Sequence, residues 1–222
     1  MSAIRPAPFR AVVFDWDGTL VDSTALIAEA ILHAADAIGV PVPDRGLASH
    51  VIGLGMMDAL ARVVPELPPA QVPEFVARFQ AHYRGGEDEI RFFAGARELL
   101  DALRARGVLL AVATGKTHAG LERSLRIAGL EGHFAATRCA DRSQPKPHPA
   151  MLHELQEALA VDPDRMLMIG DTSHDLRMAA AAGVVAVGVA YGAHPRDELE
   201  RLEPLAVFES VAQLQSWLLP QV

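Results

Sequence analysis

Residues 10–22 read Arg-Ala-Val-Val-Phe-Asp-Trp-Asp-Gly-Thr-Leu-Val-Asp, and this stretch decides the fold of the chain. Its apolar run, residues 11–14, does not alternate with polar side chains, which is typical of a strand buried on both faces of a parallel sheet. Two acids, Asp15 and Asp17, stand where this strand should end. At about 4 Å and an effective dielectric constant of about 20, their repulsion is roughly 4 kcal/mol, which favours a cation between them. Oxygen ligands indicate Mg²⁺, and two solvated acids in an Asp-Gly turn are the alternative.

Composition limits the class of protein. The chain has 222 residues, half of them hydrophobic and 5% aromatic, enough for one large domain or a core with a smaller insert. The net charge is -8, and the only lysines are Lys116 and Lys146. Without a basic cluster, nucleic acid and anionic membrane surfaces are excluded as expected partners.

Cysteine usage and the first residues bear on location. Cys139 is the single cysteine, which excludes an internal disulfide and fits a reducing cytoplasm, where it would be a small buried hydrophobe. Residues 1–8 lack the apolar run of a signal peptide. Residues 178–193 are nearly all apolar but are interrupted by glycines and too short to span a membrane comfortably. We therefore expect a cytoplasmic protein.

The segment from residue 22 to residue 86 is helical in pattern throughout. Prolines and glycines separate its periodic segments, and no convincing strand appears in it. Ser23 is the predicted N-cap of its first helix. Residues 85–89, two glycines and three acids, are interpreted as a flexible, charged connection. We assign residues 22–86 to an all-helical insert, and residues 1–21 and 87–222 to the core.

After residue 92 strands and helices alternate. Buried strands are predicted at residues 108–113, 134–139, 166–170 and 184–189. This order implies right-handed crossovers and an α/β fold with a doubly wound parallel sheet. Ligands of such sheets bind beyond the carboxyl ends of the strands. In this chain, polar residues follow three of the predicted strands. The residues in question are Asp15 and Asp17 after the first strand, Thr114 after the second and Asp171 after the fourth.

The second strand leads into Thr114-Gly115-Lys116, a segment suited to phosphate. The Thr114 hydroxyl and the following backbone amides can bind a phosphate oxygen at a helix N-terminus. A helix cap at Thr114 or Thr117 is the structural alternative. The similarity of residues 115–117 to the end of a Walker A loop is misleading, because that loop needs a glycine where Leu110 stands.

Two further segments carry candidate residues. Lys146 lies between Pro145 and Pro147, whose fixed φ angles reduce the entropy lost on binding, although a lone lysine is usually solvated. Asp171 and Asp175 are four apart at the end of a buried strand and the start of a helix, where a helix cap explains one acid but not both. We expect loop structure at His148 and a solvent-facing side chain at His174.

Taken in order, these four segments resemble the four signatures of the haloacid dehalogenase-like hydrolase superfamily. The resemblance implies that Asp15 is a nucleophile forming an aspartyl-phosphate and that Asp17 is the general acid and base. It implies that Thr114, Gly115 and Lys146 bind the phosphoryl group. It also implies a Mg²⁺ site built by Asp15, Asp17, Asp171 and Asp175, with Asp175 binding a metal-bound water or orienting a neighbour. Since Mg²⁺ and Lys146 supply three positive charges against four acids and a phosphate, we predict an absolute need for Mg²⁺.

Within the superfamily the motifs most resemble those of phosphoglycolate phosphatases. The helical insert is similar to the family's C1 cap, and residues 53–56 are the candidate substrate-facing loop, with a plain turn as the alternative. Asp17 argues against a dehalogenase, and a cap without lysine argues against phosphonate cleavage. We expect hydrolysis of a small phosphorylated metabolite by a monomer or homodimer. The alternatives are a sugar phosphomutase of the β-phosphoglucomutase type and, in another class, a phospho-receiver signalling module.

Overall fold

A computed structural model describes residues 8–222 of the chain. Residues 1–7, which belong to the predicted core and to the stretch without signal-peptide character, lie outside the described part. The strands are β1 Ala11–Phe14, β2 Leu109–Thr114, β3 Ala136–Cys139, β4 Met166–Gly170, β5 Val185–Val189 and β6 Val207–Phe208. The helices are α1 Thr24–Ala37, α2 Arg45–His50, α3 Met56–Val63, α4 Val72–Gly86, α5 Ala96–Ala105, α6 His118–Ala128, α7 Ala150–Leu159, α8 Ser173–Ala182, α9 Arg196–Glu200 and α10 Val211–Leu218.

The six strands form one parallel sheet in the order β3-β2-β1-β4-β5-β6. The first strand is central, with β2 on one side and β4 on the other. This confirms the α/β fold and the doubly wound parallel sheet. The order reverses between β1 and β4, so the loops at the carboxyl ends of these strands open a crevice there. The short edge strand β6 was not predicted, because two residues carry no periodic pattern.

Successive side chains of β1 face opposite layers of the core. Val12 and Phe14 pack into a cluster with α5, α6 and α10, whereas Ala11 and Val13 pack with α7 and α8. All four are fully buried. Burial on both faces explains why the strand reads as an unbroken apolar run.

Helices α1 to α4, called the helical cap below, share a hydrophobic cluster of their own that includes Ile31, Leu60 and Phe75. The two chain segments that connect them to the sheet run side by side. Asp22 N donates to Arg91 O at 2.9 Å, and Phe93 N donates to Leu20 O at 3.1 Å. The limits of the cap as a domain, residues 22–86, stay a prediction.

The sequence interpretation was wrong about the exit from the cap. Helix α4 continues through Gly86, and residues 87–89 form a 3₁₀ turn rather than a flexible connection. Glu87 is buried, where its carboxylate accepts hydrogen bonds from Arg123 Nε at 2.5 Å and from Ser124 Oγ at 3.0 Å. A buried acid with two donors fixes the chain at this point, so the acidic run did not indicate mobility.

Ser23 occupies the N-cap position of α1, but its hydroxyl caps nothing. It donates instead to Asp17 Oδ1 at 2.7 Å. The predicted capping role is therefore wrong. Among the helices that residues 8–222 form, none combines the length and the apolar character needed to cross a membrane.

Candidate active site

Asp15 stands at the centre of the carboxyl edge of the sheet. The preceding residue, Phe14, is in register with Val112 of β2 and Ile169 of β4, and this pairing fixes the backbone on both sides. The Asp15 side chain is fully buried. Its Oδ1 accepts from Trp16 N at 2.6 Å, while Oδ2 has no hydrogen-bond partner. A buried carboxylate with one free oxygen can act as a ligand or as a nucleophile.

Lys146 reaches this edge from the proline-flanked loop and is fully buried. Its Nζ lies 2.8 Å from Asp15 Oδ1 and 2.7 Å from Asp175 Oδ1. Burial alone would lower the pKa of Lys146, but the two carboxylates outweigh it and raise the pKa above its usual value. The ammonium is therefore charged at neutral pH and is not the solvated surface group that the alternative required.

Asp171 follows β4 and is held by two donors. Thr19 Oγ1 donates to its Oδ1 at 2.6 Å, and Ala193 N donates to its Oδ2 at 2.7 Å. Burial and then the charge of Asp175 raise the pKa of Asp171 to about 7. The two hydrogen bonds do not fully offset the cost of desolvation, so a nearby cation would further stabilise the charged form of this carboxylate.

Asp175 orients its neighbours. Its Oδ2 accepts from Thr172 N at 3.1 Å and from Thr172 Oγ1 at 2.7 Å, which forms a capping box at the start of α8. Its Oδ1 faces Lys146. One oxygen thus fixes the helix start and the other positions the lysine.

The structure gathers three of the four acids proposed as metal ligands. Asp15, Asp171 and Asp175 each offer an oxygen within 4.8 Å of the others. Burial first, and then the charges of the other two acids, raise the pKa of Asp15 well above its usual value against the effect of Lys146. The carboxylate of Asp17 is placed apart from this group.

Asp17 belongs to a second set of contacts that joins the core to the cap. Its Oδ1 accepts from Ser23 and lies 3.1 Å from Lys116 Nζ. The same ammonium donates to the phenol oxygen of Tyr83 in α4 at 2.8 Å. Burial would lower the pKa of Lys116, but the charge of Asp17 raises it above its usual value. A charged lysine therefore connects the acid of the first motif to the cap.

Thr114 is the last residue of β2, and Gly115 follows it at the same edge. The Thr114 hydroxyl accepts from Lys116 N at 3.2 Å, whereas the cap of α6 is Thr117, whose hydroxyl accepts from Gly120 N. The Thr114 side chain is thus not needed as a helix cap. Gly115 lies against the helical cap, because a Cβ there would be 2.5 Å from Leu54 O and 2.6 Å from Gly53 O.

The loop of residues 53–56 closes over this edge of the sheet. A Cβ on Gly53 would be 3.4 Å from Thr172 Oγ1 and 3.8 Å from Asp15 Oδ2. The backbone at Gly53 has a φ of +89°, a conformation that favours glycine. The loop thus meets both Asp15 and the fourth motif, and through Gly115 the second.

Several residues of this region were missed or misread in the sequence. Thr19 contacts Asp171, Ser23 contacts Asp17 and Tyr83 contacts Lys116. No sequence spacing identifies these three residues as part of the site. His174 is fully buried, so the expectation that it faces solvent is wrong. His174 follows the buried residues Thr172 and Ser173 at the start of α8. The cap packs on this helix and buries the His174 side chain. His148 is loop structure as predicted, since its Nδ1 accepts from Ala150 N.

Comparisons with known proteins agree with this geometry. The chain is 35% identical over 208 residues to the "Probable phosphatase IndB" of Dickeya dadantii, with 91% of this chain and 90% of that one covered. It is 34% identical to the phosphoglycolate phosphatase of Agrobacterium fabrum, with 91% and 89% covered. The crystal structure of a predicted phosphoglycolate phosphatase from Haemophilus somnus superposes with a TM-score of 0.83 at 27% identity, with 94% and 97% covered.

A family model spans most of the chain. The model described as haloacid dehalogenase-like hydrolase matches residues 12–189, which run from within β1 to the end of β5 and include each of the four motifs. The chain therefore belongs to the haloacid dehalogenase-like hydrolase family.

Proposed function

We propose that this protein is a Mg²⁺-dependent phosphatase that hydrolyses a small phosphomonoester through an aspartyl-phosphate on Asp15. The observation that carries the proposal is the buried Asp15 carboxylate, with one oxygen beside Lys146 and the other free. Membership of the hydrolase family and the phosphatase names of its relatives support it.

The acidic group fits Mg²⁺. Three carboxylates and one ammonium leave two uncompensated negative charges, and Asp15 Oδ2 is a buried oxygen without a partner. Carboxylate oxygens are ligands that Mg²⁺ prefers. Asp15 and Asp171 would hold the ion, with Asp175 beside them. Bound Mg²⁺ would neutralise the acids and the phosphoryl oxygens, which stabilises charge in the transition state.

The side chains divide the reaction into two steps. A carboxylate oxygen of Asp15 attacks phosphorus, and the ester bond to the leaving oxygen breaks while Asp17 protonates that oxygen. Asp17 then takes a proton from water, whose oxygen attacks phosphorus and breaks the bond to Asp15. Inorganic phosphate leaves and Asp15 returns as a carboxylate. Thr114, the backbone amide of Gly115 and Lys146 would hold the phosphoryl oxygens throughout.

A cleft of about 690 Å³, lined by Lys146 of the site, indicates how the substrate is chosen. It lies between α3 of the cap and the loop that carries Lys146. Arg62 and Asp58, one helical turn apart, line its cap side, and His148 lines the other. An arginine here suits a leaving group with its own negative charge, such as the carboxylate of 2-phosphoglycolate.

Phosphate release is the decisive assay. We expect Mg²⁺-dependent release from 2-phosphoglycolate, and from sugar phosphates more slowly, with loss of activity in EDTA. Asp15→Asn should fold normally and lose nearly all turnover. Asp22→Asn, an exposed acid of the same motif, is the matched control and should keep it. Ordinary activity in Asp15→Asn would remove that residue from the role.

The same assay separates the alternatives. Isomerisation of a sugar phosphate without net hydrolysis would favour the phosphomutase. A long-lived phosphoprotein, with little phosphate released, would favour the receiver module. The cytoplasmic location and the monomeric or dimeric state stay predictions, and light scattering tests the second.

A further inference from the structure

The loop of residues 190–195, called the β5 loop below, reaches the carboxyl edge of the sheet beside Asp171. Two of its successive amides meet that residue. Ala193 N donates to Asp171 Oδ2 at 2.7 Å, and His194 N donates to the Asp171 backbone carbonyl at 3.3 Å. The β5 loop therefore holds both the main chain and the side chain of this acid.

The other oxygen of Asp171 is held by the first motif. Thr19 Oγ1 donates to Asp171 Oδ1 at 2.6 Å, and both side chains are buried. The χ2 torsion of an aspartate is broad and roughly two-fold, so donors on both oxygens are needed to fix the plane of the carboxylate. Thr19 and Ala193 supply one donor each, which leaves each oxygen a lone pair for a further ligand.

Two glycines confine the same carboxylate. A Cβ built on Gly18 or on Gly192 would overlap Asp171 Oδ2, and one on Gly192 would also overlap Gly18 O. The backbone at Gly18 has a φ of +82°, a conformation that favours glycine. The backbone of two separate loops thus packs directly against this acid and leaves no space for a side chain.

Tyr191 connects the β5 loop to Thr19. Its phenol donates to Thr19 O at 3.1 Å, since a carbonyl oxygen only accepts. Its ring packs against Phe93 with centroids 4.5 Å apart, a contact that does not involve the hydroxyl. A path of two hydrogen bonds therefore leads from Tyr191 through Thr19 to the Asp171 carboxylate.

We propose that Thr19 and Tyr191 are positioning residues of the Mg²⁺ site. Thr19 fixes the plane of the Asp171 carboxylate, and Tyr191 fixes Thr19. The inference rests on the proposed function, because it assigns these residues to the ion that Asp15 and Asp171 would hold. A carboxylate that is held before the ion arrives loses little rotational freedom on binding, so the affinity for the ion depends on both hydroxyl groups.

A purely structural role of the two hydroxyls predicts a different result. Their removal would then lower the free energy of unfolding of the metal-free protein and leave the affinity for the ion unchanged. The dissociation constant of the ion, measured on folded protein, therefore separates the two roles. Urea unfolding in EDTA measures the structural effect on its own.

Mn²⁺ is the probe, because it prefers the same oxygen ligands as Mg²⁺. Free Mn²⁺ gives an electron paramagnetic resonance signal that disappears on binding, so titration yields a dissociation constant without turnover, and competition yields that of Mg²⁺. Thr19→Val removes the hydroxyl and keeps the shape of the side chain. It should raise the dissociation constant about ten- to a hundredfold, the usual effect of losing the partner of a metal ligand. Thr19→Ser retains the hydroxyl and should bind nearly as the parent does.

Tyr191→Phe is the milder variant, because the ring keeps its contact with Phe93. It should raise the dissociation constant about two- to tenfold, as expected for one neutral hydrogen bond. In the Thr19→Val protein the same change should have no further effect, because Tyr191 acts through Thr19. Thr137→Val, the same exchange of side chains in β3, is the control and should bind as the parent does.

Equal dissociation constants in the parent and in Thr19→Val would overturn the inference. Additive effects of Thr19→Val and Tyr191→Phe, or an equal loss in Thr137→Val, would do the same. A parent protein that binds no Mn²⁺ would overturn the proposed metal site together with this inference. Binding that responds to Thr19→Val, without phosphate release from any phosphomonoester, would overturn the proposed function and leave this inference standing.

Discussion

The phenol oxygen of Tyr83, in the last helix of the cap, accepts a hydrogen bond of 2.8 Å from the ammonium of Lys116 in the core. Lys116 also lies 3.1 Å from Asp17, the proposed general acid. Burial, followed by the charge of Asp17, raises the pKa of Tyr83 to about 12, so the phenol stays neutral at working pH. The position of the cap and the surroundings of the acid are thus linked through one lysine.

Tyr83→Phe should lower kcat more than it changes KM. The ring stays beside the ammonium, but Lys116 loses an acceptor, and a hydrogen bond to a charged group is worth about 1.5–3 kcal/mol. We expect a loss of about tenfold or more, measured by steady-state phosphate release. Phe79→Leu, one turn earlier in the same helix, should lower stability but retain kcat. Equal kcat in Tyr83→Phe and the parent would contradict the link.

Lys146→Met should destabilise the protein and abolish turnover. Two buried carboxylates, Asp15 and Asp175, would lose their shared cation, which typically costs about 3–5 kcal/mol. Urea unfolding measures the loss. The double variant Lys146→Met/Asp175→Asn should recover much of the stability but none of the turnover. If the two changes were simply additive in stability, the pairing would not matter.

Stability of the metal-free protein should fall as pH rises from about 4 to about 7. The pKa of Asp171 is raised from 3.8 to about 7, so the folded state binds more protons than the unfolded state in this window and loses stability as they leave. Urea unfolding in EDTA at a series of pH values measures the slope, and Asp171→Asn should flatten it. At neutral pH, Mg²⁺ at 100 times its Kd should restore about 2.7 kcal/mol in the parent protein. A rising slope in the parent would contradict this account.

Gly115→Ala should lift the cap from the core. The new methyl group would meet the carbonyl oxygens of Gly53 and Leu54, and backbone atoms cannot move without the whole loop. Misplacement by about 1 Å can cost a hundredfold, so we expect a loss in kcat/KM of that order with faster proteolysis of the cap. Gly85→Ala, in open space within α4, should gain about 0.5–1 kcal/mol and keep full turnover. Normal kinetics in Gly115→Ala would show that the loop of residues 53–56 moves aside without affecting catalysis.

The sequence alone determined the elements whose signals are local. An unbroken apolar run predicts a central strand, and alternation of strands and helices predicts the parallel sheet. Polar residues at the carboxyl ends of β1, β2 and β4 predict their common edge. Asp15, Thr114, Lys146 and Asp171 could be named because each stands at a strand end or in a rigid loop.

Only the tertiary structure decided which of these groups touch. It paired Lys146 with Asp15 and Asp175, set Asp17 apart beside Lys116, and buried His174 with His50 and His194. No periodicity encodes these contacts, because each joins side chains from segments far apart in the chain. The lysine–carboxylate contacts arise where loops of the core meet at the edge of the sheet, and the contact of His50 arises where the cap packs onto that edge. Burial there fixes both the partners and the charges of the buried groups.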